Sequence, residues 1–290
     1  MKKDSKGLNV LIGTGFIGSN LTQDRFDLKI DSRARMAYGT PANTITIAAP
    51  SGSKNTVNES SESDAIDAMS CISLINTVMS FTGTKKIYLI STIDALCKTN
   101  TPYGKNRAFL VKTLKDYCKE NNIEFYVFYL GTTYGKNEYE GLVYDFQHND
   151  ARHYSFGSYQ LYNVKWLEDD MKKCEEQDIH EAVLASEPIK VKEIAKTMAV
   201  SLDFAPKVGG DKYKVKALGV PLIKKERILE SLSFDISYST CIGELKHFKE
   251  SNFIEKKCAL IYEIKYRVKY IMKNLKNLVK NVLKKISKIK

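Results

Sequence analysis

Gly13, Gly15 and Gly18 stand in the spacing G-x-G-x-x-G inside the stretch LNVLIGTGFIGSN, Leu8 to Asn20. The chemistry this spacing offers is phosphate binding. Gly13 allows a tight turn. Gly15 lets the backbone approach a pyrophosphate, and Gly18 lets a following helix pack close to the preceding strand. The free N–H groups and positive end of that helix then face the phosphates. Asp31 lies 18 positions after Gly13, where a carboxylate would meet an adenosine ribose. Arg33 would instead clamp a 2′-phosphate. NAD and NADP both stay open, and so does an ordinary exposed turn at Asp31-Ser32-Arg33. The glycine spacing is common, so its context decides.

That context comes from the elements. Leu8–Ile12, Leu28–Ile30, Thr44–Ala49, Lys86–Thr92, Glu124–Gly131 and Glu181–Ser186 read as strands, rich in apolar and β-branched residues. Between them, Phe16–Gln23, Asp64–Phe81, Tyr103–Glu120, Val164–Cys174, Val191–Ser201 and Lys224–Phe234 read as helices. Ile66, Met69, Ile72, Ile75 and Met79 form one apolar stripe, and Leu110, Val111, Leu114 and Cys118 point inward. Strands alternating with helices predict a parallel sheet covered on both faces, with right-handed crossovers. Residues 136–162 show no clean period and read as loops over a site. The glycines thus follow a strand and open a helix.

A second signal is STIDALCKTNTPYGKNR, Ser91 to Arg107. A strand ends in Ser91-Thr92, and Tyr103 opens a helix. With Gly15-Phe16-Ile17-Gly18, Ala48-Ala49 and Tyr134-Gly135, the order and spacing resemble the extended short-chain dehydrogenase/reductases, the nucleotide-sugar epimerase/dehydratase family. The resemblance runs from about Leu8 to Gly135 and fades beyond Ser201. It implies a Rossmann-type doubly wound α/β sheet with a small C-terminal substrate lobe and a terminal amphipathic helix. The dinucleotide domain would span 1–135, the substrate lobe 136–250 and the tail 251–290. NAD or NADP would be held by Gly13, Gly15, Phe16, Ile17, Gly18, Asp31, Arg33, Ala48, Ala49, Tyr103 and Arg107. The implied activity is NAD(P)-dependent epimerisation or keto-reduction of a nucleotide sugar, in surface polysaccharide biosynthesis. The alternative is a non-catalytic nucleotide-binding partner or sensor of the same fold.

In that family Tyr103 would be the general acid/base. A free phenol titrates near about 10, so it needs positive charge close by. A lysine supplies the charge in the family; here position 107 is arginine. Tyr103 and Arg107 are i and i+4, on one helix face. Arg107 keeps the charge in a different geometry. It could equally be a solvated arginine in a protein that does not turn over. Thr92 would hydrogen-bond the hydroxyl or carbonyl that exchanges hydride. Arg152, His153, Tyr159 and Gln160 would contact the substrate, although the tyrosines in this stretch suit lobe packing as well. Three further departures stand beside Arg107. Ile12 replaces the family's first glycine. The third strand starts 13 positions after Asp31, which trims one β–α unit. Ile93 replaces the first acid of the dehydratase pair, leaving only Asp94, which argues against dehydration.

The formal charge is +11, and it is uneven: 251–290 holds 12 Lys/Arg against 2 Asp/Glu, while the rest holds 33 against 32. The body is nearly neutral and shows no nucleic-acid motif, so no nucleic-acid partner is expected. From Ile261 to Ile289 apolar residues recur at steps of 3 or 4 with lysines between them. This helix could lie on an anionic membrane surface, pair with a second copy as a homodimer, or fold onto the body. The six cysteines are scattered and the four histidines lack ligand spacing, so no metal site is expected. No apolar run spans a membrane and no signal-type core follows Met1–Lys6, so a cytoplasmic protein is expected, peripheral to the membrane if the tail binds it.

Overall fold

Leu8–Ile12 forms β1, and its last three residues are completely buried because strands pair with it on both sides. This computed structural model describes residues 7–31, 39–50, 53–148, 156–198, 209–212 and 223–232. Arg33, Arg152, His153 and the whole of 251–290 lie outside the described residues, so those expectations are not placed.

β2 is Leu28–Ile30 and β3 is Ala42–Ile47. β4 is Lys86–Thr92, β5 is Glu124–Leu130 and β9 is Glu181–Leu184, with β6 to β8 described below. These six strands make one parallel sheet in the order β2-β1-β3-β4-β5-β9. It is the doubly wound sheet that the alternation predicts. Residues 32–38, between β2 and β3, lie outside the described residues, so the trimmed unit expected after Asp31 is not placed. β2 is an edge, and the strand order turns around between β1 and β3. Ligands of such sheets bind at that reversal, beyond the carboxyl ends of the strands.

Helices cover the sheet. α3, Ser61–Met79, starts at Ser60, whose hydroxyl accepts the Ser63 N–H at 3.1 Å. α5, Pro102–Glu120, starts at Thr101, whose hydroxyl accepts the Gly104 N–H at 3.2 Å, with Pro102 in the first turn. Leu110, Leu114 and Cys118 of α5 pack with Leu74 and Val78 of α3 and with Ile45, Ile87 and Val127 of the sheet in one core. Val111 joins them as expected. The α3 stripe is a correction. Ile66 and Met69 are 62% and 63% exposed, and Ile72 and Met79 are also exposed. Ile75 is buried as expected, and the inward face is Asp67, Cys71, Leu74, Ile75 and Val78, turned so that Asp67 reaches α5.

The first helix is also shorter than its sequence predicts. α1 is one turn, Phe16–Ser19, followed by a single 3-10 turn at Gln23–Arg25. Asn20 ends α1 by donating its amide to the Phe16 and Lys136 carbonyls at 2.8 and 2.7 Å. The Thr22 N–H then donates to Glu168 at 2.9 Å. One turn carries little macrodipole, so a phosphate here would rest on local N–H groups. Two further one-turn helices, α2 at Lys54–Val57 and α4 at Asp94–Cys97, frame the region beyond the strand ends.

Residues 136–162 hold more structure than their texture predicts. β6, Thr132–Tyr134, pairs with β8, Leu161–Asn163; α6 is Leu142–Gln147; β7, Phe156–Tyr159, pairs with β10, Ile189–Lys190, and β11, Gly209–Lys212. α7, Leu167–Glu176, and α8, Val191–Thr197, follow the helical pattern. Tyr162 is buried and donates its hydroxyl to Asp170 at 3.0 Å, so this tyrosine packs β8 against α7. Among the described residues no helix is long and apolar enough to cross a membrane.

Candidate dinucleotide and substrate site

A cavity of about 830 Å³ opens beyond the carboxyl ends of the strands. Ile17 of α1 lines one end. Ala48 and Ala49, just after β3, form a wall, and Ser91 and Thr92 close β4 against it. Tyr103 and Arg107 of α5, Thr132 and Thr133 of β6, and Tyr159 of β7 complete the lining. The structure therefore brings Ile17, Ala48, Ala49, Thr92, Tyr103, Arg107 and Tyr159 together. Asp31 sits exposed just past β2, whose end is level with that of β1. Gln160 is elsewhere: it is buried, and its amide donates to the Ser186 carbonyl at 2.8 Å. That hydrogen bond ties the residue between β7 and β8 to the segment after β9.

The three motif glycines have different reasons. Gly13 has φ +97, and a Cβ there would meet the Ala48 carbonyl oxygen at 2.4 Å. A Cβ on Gly18 would meet the Gly13 carbonyl oxygen at 1.9 Å. Those two are required by the turn itself. Gly15 is exposed, and a Cβ there would meet nothing within 4 Å. Space that the protein leaves unused over a backbone turn is what a pyrophosphate needs. The residues present fit a dinucleotide.

The Tyr103 end is less simple. Arg107 is buried and forms a bidentate pair with Asp67 of α3, both contacts at 2.9 Å. It also contacts the Cys71 sulfur at 3.3 Å. Asn106 donates to Asp67 at 3.0 Å, which closes the network. Burial opposes the guanidinium charge, but Tyr103, Asp67 and Cys71 outweigh it, so Arg107 stays a cation. The guanidinium lies 4.4 Å from the centre of the Tyr103 ring. Burial pushes the Tyr103 phenol above its usual range. Arg107 pulls it down, while Asp94 and Asp67 push it up. The net direction is upward, because burial of the phenol outweighs the pull of Arg107. At neutral pH Tyr103 is a protonated donor.

Sequence reading missed Asp67, Gly104 and Asn58 here. Asp67 lies on a different helix, and nothing in its neighbourhood marks it as the arginine's partner. A Cβ on Gly104 would meet the Lys98 carbonyl oxygen at 2.1 Å, so Gly104 lets α5 start tight against α4. The Asn58 side chain accepts the Tyr103 N–H at 3.0 Å. Together they fix Tyr103 at the cavity wall.

Neither a protein-family model nor a curated protein sequence matches the chain. Solved structures do. UDP-glucose 4-epimerase from Bifidobacterium longum, in complex with NAD+ and UDP, is 13% identical with a TM-score of 0.57, over 81% of this chain and 99% of that one. The chain shares the fold of this epimerase. dTDP-glucose 4,6-dehydratase from Bacillus anthracis, in complex with NAD, is 15% identical with a TM-score of 0.55, over 82% and 98%. UDP-N-acetylglucosamine 4-epimerase from Methanobrevibacter ruminantium, in complex with UDP-N-acetylmuramic acid, is 13% identical with a TM-score of 0.54, over 81% and 99%. The fold of the nucleotide-sugar epimerases and dehydratases thus extends along most of this chain, at identities where only the fold carries over.

Proposed function

We propose that the protein is an NAD(P)-dependent epimerase or keto-reductase acting on a nucleotide sugar. One observation carries this reading: Ile17 of the glycine stretch, Thr92 and Tyr103 line a single cavity, with open space over the neighbouring Gly15. The dinucleotide would lie over Gly13–Gly18 and along Ala48-Ala49, and it would supply the hydride chemistry. Thr92 and Tyr103 would orient a substrate hydroxyl or carbonyl, with the Tyr103 phenol placing its proton on an oxygen that gains charge. The shared fold of enzymes solved with NAD and with UDP-glucose supports the choice of ligands.

The Arg107–Asp67 pair favours a second reading, a non-catalytic nucleotide-binding partner. With its phenol raised by burial and the neighbouring cation paired to Asp67, Tyr103 is a poor base near neutral pH. The two readings separate in one experiment. Purified protein is loaded with NAD+ or NADP+ and incubated with UDP-glucose, UDP-N-acetylglucosamine and dTDP-glucose, and products are separated by chromatography. Product that disappears in Tyr103→Phe supports the enzyme; bound dinucleotide with no product from any sugar supports the binding protein. The charge and apolar stripe of 251–290 support placement at an anionic membrane surface, in surface polysaccharide synthesis, with self-association of that helix as the competing role.

A further inference from the structure

Tyr103 is the second residue of α5, in the first turn, where a helix has no acceptors of its own for its N–H groups. Each donor of that turn has a partner. The Thr101 N–H donates to the Lys98 carbonyl at 2.9 Å, Pro102 has no N–H, and the Gly104 N–H donates to the Thr101 hydroxyl at 3.2 Å. The Tyr103 N–H is met by a side chain from 45 positions earlier, Asn58, whose Oδ1 accepts it at 3.0 Å. A backbone N–H only donates, so the Asn58 atom that faces it is the carbonyl oxygen. Asn58 is the residue that ends α2. At the other end of α2 the Lys54 ammonium lies 3.3 Å from Asp94 of α4, and Val57 between them is buried. Ser53, Lys54 and Asn55 line the same cavity as Tyr103. One short helix is therefore tied to α4 by an ion pair and to α5 by a single side chain, with its first residues on the cavity wall.

We infer that Asn58 is a positioning residue for Tyr103. The hydroxyl of Tyr103 stands at the far end of a long side chain, so a small rotation of the first turn becomes a larger displacement of the reacting oxygen. A misplacement of about 1 Å at such a group costs about a hundredfold in rate. Within the turn, Thr101 caps the Gly104 N–H but leaves the Tyr103 N–H to Asn58. The bond is exposed, so its loss disturbs the body of the protein little and the placement of Tyr103 much. The role in rate rests on the reading that Tyr103 handles a proton in this cavity.

The test joins two readouts on the full-length protein. One is the NMR signal of carbon-13-labelled tyrosine, with the Tyr103 signal assigned by its loss in Tyr103→Phe. The other is the steady-state rate of protein loaded with NAD+ or NADP+ on UDP-glucose, UDP-N-acetylglucosamine and dTDP-glucose. Asn58→Ala removes the acceptor, and its thermal midpoint should stay within about 4 °C of wild type. Its Tyr103 signal should shift or split, and kcat should fall by about ten- to a hundredfold with KM within about threefold. Asn58→Asp keeps an acceptor at the same reach and should restore both the signal and the rate. Should Asn58→Ala fail to fold, Asn58→Ser, whose hydroxyl is too short to reach Tyr103, carries the same expectation. A folded variant lacking the acceptor whose Tyr103 signal is unmoved, or whose kcat stays within about twofold of wild type, overturns the proposal; so does Asn58→Asp behaving like Asn58→Ala. A wild type with no turnover on any of the sugars defeats the enzyme reading by itself, and the Tyr103 signal then decides whether Asn58 positions this residue.

Discussion

Arg107 and Asp67 act as one unit. Removing the acid leaves a buried guanidinium unpaired, so Asp67→Ala should lower stability by about 3–5 kcal/mol, read by urea denaturation. Replacing Arg107 by the family's lysine should not by itself raise turnover, because Asp67 would hold the new ammonium too. Asp67→Asn combined with Arg107→Lys keeps a polar partner and frees the charge. On the catalytic reading, that double variant should exceed the single Arg107→Lys variant by about tenfold or more in initial rate, since a tuned acid/base contributes at least that much. Equal rates would mean that the cation is not what limits Tyr103. The glycines separate in the same way. Gly13→Ala would place a side chain at φ +97 against Ala48, and should cost about 1–3 kcal/mol or more. Gly15→Val meets no protein atom within 4 Å at its Cβ, and should leave the midpoint nearly unchanged.

At the scale of elements, the sheet was legible and some faces were not. β1, β2, β4 and β5 follow runs of apolar and β-branched residues that nothing else in the fold competes for. The α3 stripe misled because apolar periodicity names a face without naming what covers it. Asp67 had to meet Arg107, and that turned Ile66 and Met69 outward. With Ile66 exposed, Ile66→Glu should change the unfolding free energy by no more than about 0.5 kcal/mol; a loss of about 2 kcal/mol would mean that another surface covers α3. α1 and the strands within 136–162 escaped because side-chain contacts distant in sequence, such as Asn20 with Lys136, set their ends. In the loop before α6, burial raises the Glu138 carboxyl from its ordinary value of 4.5 to about 8. The folded state then holds a proton that the unfolded chain has lost. This contribution is fully present below 4.5 and is lost as pH rises through about 8. Glu138→Gln should therefore raise stability at pH 8 relative to wild type and flatten that part of the pH profile, measured by thermal melts.

At the scale of the whole molecule, charge is segregated: nearly all the net +11 falls in 251–290. Basic residues near an anionic leaflet attract by roughly 1 kcal/mol each, screened within about 8 Å at physiological salt. Full-length protein should sediment with anionic vesicles and less with neutral ones, and high salt should release it. Removing 251–290 should abolish this and leave nucleotide binding intact; loss of a dimer instead would favour self-association. The glycine turn, the strand ends and Tyr103 come together only in the folded body, and the account stands on that body binding a dinucleotide. The most direct measurement is calorimetric titration of NAD+ and NADP+ into the full-length wild type and the equally stable Gly15→Val variant. The account predicts that the wild type binds at least one of the two and that the variant binds neither. Equal binding by both proteins, or no binding by the wild type, would contradict it.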